Sequence, residues 1–167
     1  MAQRVNMVEM SRKLADYLKQ YGPLKSYCLE QFEKEQTVVV EYSTADEIPG
    51  LEDTPWIMLY NASKEEGMQN MAHYECDIGI GVRNNLGDRY LETDNGALVL
   101  AAYKHVSDII NIIQEALNDR ANRKMPPTVF KATPTGEIDQ GGLLWSGIIH
   151  CEWDIEQVLG YEYGFDF

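Results

Sequence analysis

Between His73 and Arg83 the chain alternates with a period of two. Tyr74, Cys76, Ile78, Ile80 and Val82 interleave with His73, Glu75, Asp77, Gly79, Gly81 and Arg83. Only a strand sends successive side chains to opposite faces. This stretch is therefore expected to put one face in a core and the other toward solvent or a partner. A second long strand is expected from Leu143 to Ile155. There Leu143, Trp145, Ile149, Cys151 and Trp153 share a face opposite Ser146, His150 and Glu152.

Helices are expected around these strands. Val8, Leu14, Tyr17, Leu18 and Tyr21 recur at three- and four-residue spacing, which predicts an amphipathic helix over the first twenty-two residues. Gly22-Pro23 is expected to stop it, and a weakly periodic second helical piece follows over Leu24 to Glu35. Leu98, Ala102, Val106, Ile109, Ile110, Ile113 and Leu117 form a wide apolar stripe, predicting a long core-facing helix from Gly96 to Asp119 capped by Thr93, Asp94 or Asn95. Shorter strands are expected at 37–42, 56–60 and 128–132, with loops at 43–55 and 61–72 and a turn at 135–137.

The order of helix, strands, helix, strands does not suit regular parallel crossovers. It predicts an α+β fold: a mostly antiparallel sheet of four to six strands packed against one long helix, with an N-terminal helix. No composition shift divides the chain, so residues 1–155 are expected to form a single domain. Residues 156–167 follow as an aromatic-acidic tail carrying Tyr161, Tyr163, Phe165 and Phe167. Such aromatics either tuck back onto their own domain or dock onto a neighbour.

Catalytic and cofactor motifs are mostly missing. The chain has no GxxxxGK[ST] phosphate loop. Gly79-Ile-Gly81 lacks the third glycine of a dinucleotide fingerprint and lies inside a strand. Ser146 sits in Leu-Trp-Ser-Gly-Ile rather than in a nucleophile elbow. Cys76 and Cys151 lie on apolar strand faces, where a thiol acts as a small hydrophobe. His105 is expected as a partly exposed surface residue of the long helix, and Asn61-Ala62-Ser63 is a glycosylation sequon with no evident secretory route. No enzyme activity and no cofactor are expected on these grounds.

One pattern stands out. His73-Tyr-Glu75-Cys-Asp77-Ile and His150-Cys-Glu152-Trp-Asp154-Ile both spell HxExDI. In a strand, the His, Glu and Asp of each run share one face. If the two strands were neighbours, two imidazoles and four carboxylates would converge. That set suits a divalent ion by ligand type. It equally suits contacts with basic groups of a neighbouring subunit, or a plain solvated strip. His73, Glu75, Asp77, His150, Glu152 and Asp154 are accordingly candidate subunit or partner contacts, together with Trp153, Tyr161, Tyr163, Phe165 and Phe167.

Charge narrows the partners. Lys and Arg number 14 against 27 Asp and Glu, a net −13. That balance disfavours gripping nucleic acid or an anionic membrane surface. No run approaches the roughly 20 apolar residues of a membrane-spanning helix. The first six residues carry no apolar signal core. Three scattered cysteines read as free thiols in a reducing compartment.

In order and style most of the chain resembles the tail terminator and tail-completion proteins of long-tailed bacteriophages. The resemblance runs through the N-terminal amphipathic helix and the Pro-Trp-Ile-Met-Leu-Tyr strand at 55–60. It continues through the Tyr74–Val82 strand, the helix over 96–119 and the closing strands. It implies a homo-oligomeric ring, typically a hexamer, at the head-proximal end of the virion tail. Such a ring ends tail-tube polymerisation and joins the tail tube protein to head-completion or neck proteins. DNA would pass through the lumen without specific binding, and no catalytic residues are implied. Two other classes remain open: an acidic inhibitor or DNA mimic, and a metal-dependent enzyme using the paired HxExD strands.

Overall fold

The computed structural model describes residues 7–41, 49–66, 71–84, 89–119, 129–137 and 143–156. The fold is α+β. Helices α1 (Met7–Gln20) and α2 (Gly22–Phe32) come first, followed by β1 (Thr37–Val40), β2 (Trp56–Glu66) and β3 (Met71–Arg83). A small two-stranded hairpin, β4 (Tyr90–Glu92) and β5 (Leu98–Leu100), leads into α3 (Ala101–Asn118). Strands β6 (Val129–Glu137) and β7 (Leu144–Glu156) follow.

The main sheet has the order β1-β2-β3-β7-β6. Its centre is the β3–β7 pair, antiparallel and continuous in register from Met71 opposite Glu156 to Arg83 opposite Leu144. The alternation at 73–83 decides what lies beneath. Tyr74, Cys76, Ile78, Ile80 and Val82 are all fully buried, as are Ile149, Cys151 and Trp153 of β7. They pack against Met10, Leu14 and Leu18 of α1 and Val106, Ile109 and Ile113 of α3 in one cluster. Fully burying side chains of this size stabilises by roughly 1.5–3 kcal/mol each. Gly147 lets α3 approach: a Cβ there would lie 2.6 Å from Val106 Cγ1.

The helices join this one cluster on the inner face. On the outer face, Trp56, Met58 and Leu144, with Leu51 and Tyr60, form a small second cluster over Gly79 and Gly81. A Cβ on Gly81 would lie 2.0 Å from the Trp56 ring, so packing of the indole explains this glycine.

Several expectations are corrected. The sheet is mixed, because β1 runs parallel to β2. Residues 41–55 separate these strands, and a parallel connection needs about a dozen residues or more. Among the described residues there are three helices, the second overlapping the helical piece expected over 24–35, so the sheet does not pack against one long helix with an N-terminal partner alone. Gly22-Pro23 ends α1 but also starts α2, where Pro occupies the first turn. Gln36 is buried and donates from Nε2 to the Leu18 and Lys19 carbonyls, satisfying the end of α1.

The expected loop at 61–72 is largely strand, since β2 runs to Glu66 and β3 begins at Met71. The expected turn at 135–137 is strand too, within β6. Helix α3 starts at Ala101, and its N-cap is Leu100 rather than Thr93, Asp94 or Asn95. Those three residues belong to the β4–β5 turn, which Gly96 closes with φ of +80°. Leu98 therefore leaves the helical stripe and is 66% exposed, and Val8 is 68% exposed. Among the described residues, no helix is long and apolar enough to cross a membrane.

Candidate functional site: an acid–histidine ladder on the open face of the sheet

The two HxExD runs are neighbours. In the β3–β7 register His73 faces Asp154, Glu75 faces Glu152, and Asp77 faces His150. Because the strands are antiparallel, the two identical runs meet about a local pseudo-two-fold axis through the Glu75–Glu152 pair. The Asn84 amide donates to the Leu143 carbonyl at 2.7 Å, which marks 84 and 143 as a hydrogen-bonded pair. Counting along the unbroken register, the three ladder pairs fall at non-hydrogen-bonded positions, where opposed Cα atoms approach to about 4.5 Å. Two carboxylates directly opposed at that spacing repel.

The histidines offset that repulsion. His73 donates from Nδ1 to Asp154 Oδ1 at 2.7 Å and from Nε2 to Glu75 Oε1 at 3.2 Å. His150 mirrors it, donating from Nδ1 to Asp77 Oδ1 at 2.7 Å and from Nε2 to Glu152 Oε1 at 3.1 Å. An ionised carboxylate only accepts, so both nitrogens of each ring must carry hydrogen to satisfy this pattern. The hydrogen bond to Asp154 raises the His73 pKa above its ordinary value, partial burial opposes it, and Glu75 adds to the rise. Asp77 and Glu152 do the same for His150. Each ring is thus held toward the imidazolium form.

Strand β2 supplies further donors that the sequence did not reveal. Its register slips between Tyr60 and Ser63, and Asn61 adopts a left-handed φ of 53° in this bulge. Asparagine tolerates that conformation better than most residues. Asn61 Nδ2 then donates to Asp77 Oδ2 at 3.0 Å, so both oxygens of Asp77 are engaged. Ser63 Oγ donates to Glu75 Oε2 at 3.4 Å. On the other flank, Lys131 of β6 lies opposite His150 in register. The bulge was hidden by the expectation of a loop at 61–72. A polar Asn-x-Ser directly after an apolar strand is the signal that marks it.

The ladder residues are half-buried, except for exposed Asp154. Glu75, His150 and Glu152 each offer one donor atom within 4.8 Å of the others. Trp153 is not part of this surface: it lies on the opposite face of β7, 1% exposed in the core, and so is no candidate contact in this fold. Tyr161, Tyr163, Phe165 and Phe167 fall outside the described residues.

Other reactive groups are accounted for by the core. Cys76 and Cys151 face each other across β3 and β7 and are fully buried. Burial pushes the Cys76 and Cys28 thiols up to about 12, far from a reactive thiolate. His105 is half-buried on α3. Its Nδ1 meets the Tyr27 hydroxyl at 2.9 Å, and that hydroxyl also donates to Asp108. Burial lowers the His105 pKa, the reverse of the ladder histidines. A cleft between the end of α2 and the 51–54 turn gathers Glu30, Glu33, Glu52 and Arg83 without a cysteine or histidine.

The chain matches no protein-family model. No curated protein matches it at significant similarity.

Proposed function

We propose that the chain is a structural subunit of a ring at the head-proximal end of a phage tail, ending tube growth and joining tail to head. The observation that carries this is the face of the sheet opposite the helices, which displays paired charge around a fixed ladder rather than a reactive pocket. A closed ring is built from heterologous contacts, which require two different complementary surfaces on one subunit. The ladder face supplies one. The β4–β5 hairpin supplies a second, because Tyr90, Leu91 and Leu98 are exposed there. A two-stranded hairpin is marginal by itself and gains from a neighbour.

A net charge of −13 also suits a ring around a DNA channel, since a lumen that repels phosphate does not trap the passing duplex. The virion tail is then the place of action, with further copies of the chain, the tail tube protein and neck proteins as partners.

Light scattering at several concentrations, followed by negative-stain electron microscopy, tests this. The expected result is a ring of six times the 19.1 kDa chain mass, alone or on addition of tail tubes. A monomer that leaves tube length unchanged overturns it. A monomer that instead blocks a DNA-binding enzyme establishes the acidic-mimic reading.

A further inference from the structure

We propose that the β3–β7 ladder is a binding site for one divalent transition-metal ion, with Glu75, Glu152 and His150 Nε2 as ligands and Asp77 as the group that orients the imidazole. The proposal is independent of the ring.

Four features lead to it. First, the donor atoms are already close. Ligands of a tetrahedral zinc ion at 2.0–2.2 Å stand about 3.4 Å from one another. His150 Nε2 and Glu152 Oε1 are 3.1 Å apart, and Glu75 completes the group within 4.8 Å. Small side-chain rotations close the set.

Second, the imidazole is held as metal-binding histidines are held. Asp77 accepts from His150 Nδ1 at 2.7 Å, which leaves Nε2 as the ligand atom. Asn61 in turn fixes the other oxygen of Asp77, and the bulge in β2 is what aims that amide. This support comes from a third strand, outside the HxExD runs.

Third, an ion removes a strain within the ladder. Glu75 and Glu152 are directly opposed carboxylates, and a dication between them replaces repulsion with attraction. Fourth, the donor set selects the ion. Imidazole favours zinc, iron, nickel or copper over magnesium and calcium, while two carboxylates accept any of them. One ion per chain follows because the pseudo-two-fold halves share the same two glutamates. The half-buried site leaves a coordination position for water or for an atom of a neighbouring molecule.

Binding exchanges one proton for the ion: the His150 Nε2–H bond breaks, the metal–nitrogen bond forms, and the proton leaves to solvent. The groups facing His150 are Asp77 from β3, Glu152 from its own strand and Lys131 from β6.

The test is calorimetric titration of Zn2+ into the full chain after chelator treatment, with Co2+ absorption as a second readout. Saturation at one ion per chain is expected, with a Co2+ visible spectrum and no displacement by excess Mg2+. Glu75→Gln and His150→Ala should each abolish saturable binding while retaining the far-UV circular dichroism of the parent. Asp77→Asn should weaken binding by about 10–100-fold, and His105→Ala should leave it unchanged. Absence of saturable binding by the folded parent overturns the proposal. Binding that survives both Glu75→Gln and His150→Ala overturns it equally. Solution mass recorded on the same samples separates failure of the metal site from failure of the ring.

Discussion

Strands β3 and β7 carry two different kinds of chemistry on the two faces of one backbone. On the inner face Tyr74, Cys76, Ile78, Ile149, Cys151 and Trp153 are at most 1% exposed, and helices α1 and α3 cover them. On the outer face, in the same register, stand His73, Glu75, Asp77, His150, Glu152 and Asp154, bonded mainly to one another. The inner face holds the fold by removing apolar area from water. The outer face holds charges at contact distance in a half-wet setting, where an ion pair contributes about 0–1 kcal/mol. Four acids and two histidines there contribute little stability, and under the proposed ring they serve as a contact surface.

Substitutions on the two faces should therefore diverge. The largest loss is expected from Trp153→Ala, at about 3–5 kcal/mol, read as a fall in the urea midpoint. A loss below about 1 kcal/mol would break the contrast. Gly147→Ala comes next, at about 1–3 kcal/mol, because the new methyl meets Val106 and Ile110 of α3. Outer-face changes should be smaller. The double substitution His73→Ala and His150→Ala should cost about 1 kcal/mol or less at pH 6.

The pH dependence sharpens the same contrast. Both ladder histidines have folded pKa values raised by their carboxylate partners. Their contribution is fully present below the unfolded value near 6.5 and is lost as pH rises through the raised folded value. In the presence of a chelator, stability attributable to the ladder should fall as pH rises above about 6.5. The double histidine variant should show a flatter profile over that window. The smallest effect is expected for Glu75→Gln at alkaline pH, above the raised folded values of the two histidines. Where the pH is high enough to deprotonate both imidazoles, removing one of two opposed charges should raise the midpoint by a few tenths of a kcal/mol. A drop there would show that the hydrogen bond from Ser63 to Glu75 outweighs the repulsion from Glu152.

The inner face was the more legible of the two in the sequence. Strict alternation from Tyr74 to Val82 forces a strand, and Ile109, Ile110 and Ile113 force a covering helix, because burial leaves a periodic trace. The ladder was half legible. Two HxExDI strings show which side chains share a face, but strand adjacency and direction are long-range properties that no local pattern encodes. The edges were harder still. Polar residues from Asn61 to Glu66 look like a loop, yet pairing with β3 keeps them extended. Leu98 matches the spacing of the α3 stripe but is spent on the β4–β5 hairpin. The parallel β1–β2 pair leaves no trace at all in Thr37–Val40, since a short β-branched run fits either direction.

The most direct test is to measure unfolding midpoint and solution mass together on the chain and on its His73→Ala, His150→Ala double variant. A ladder kept for assembly predicts a nearly unchanged midpoint with collapse of the ring to monomer. A variant that forms the same ring as its parent would contradict it.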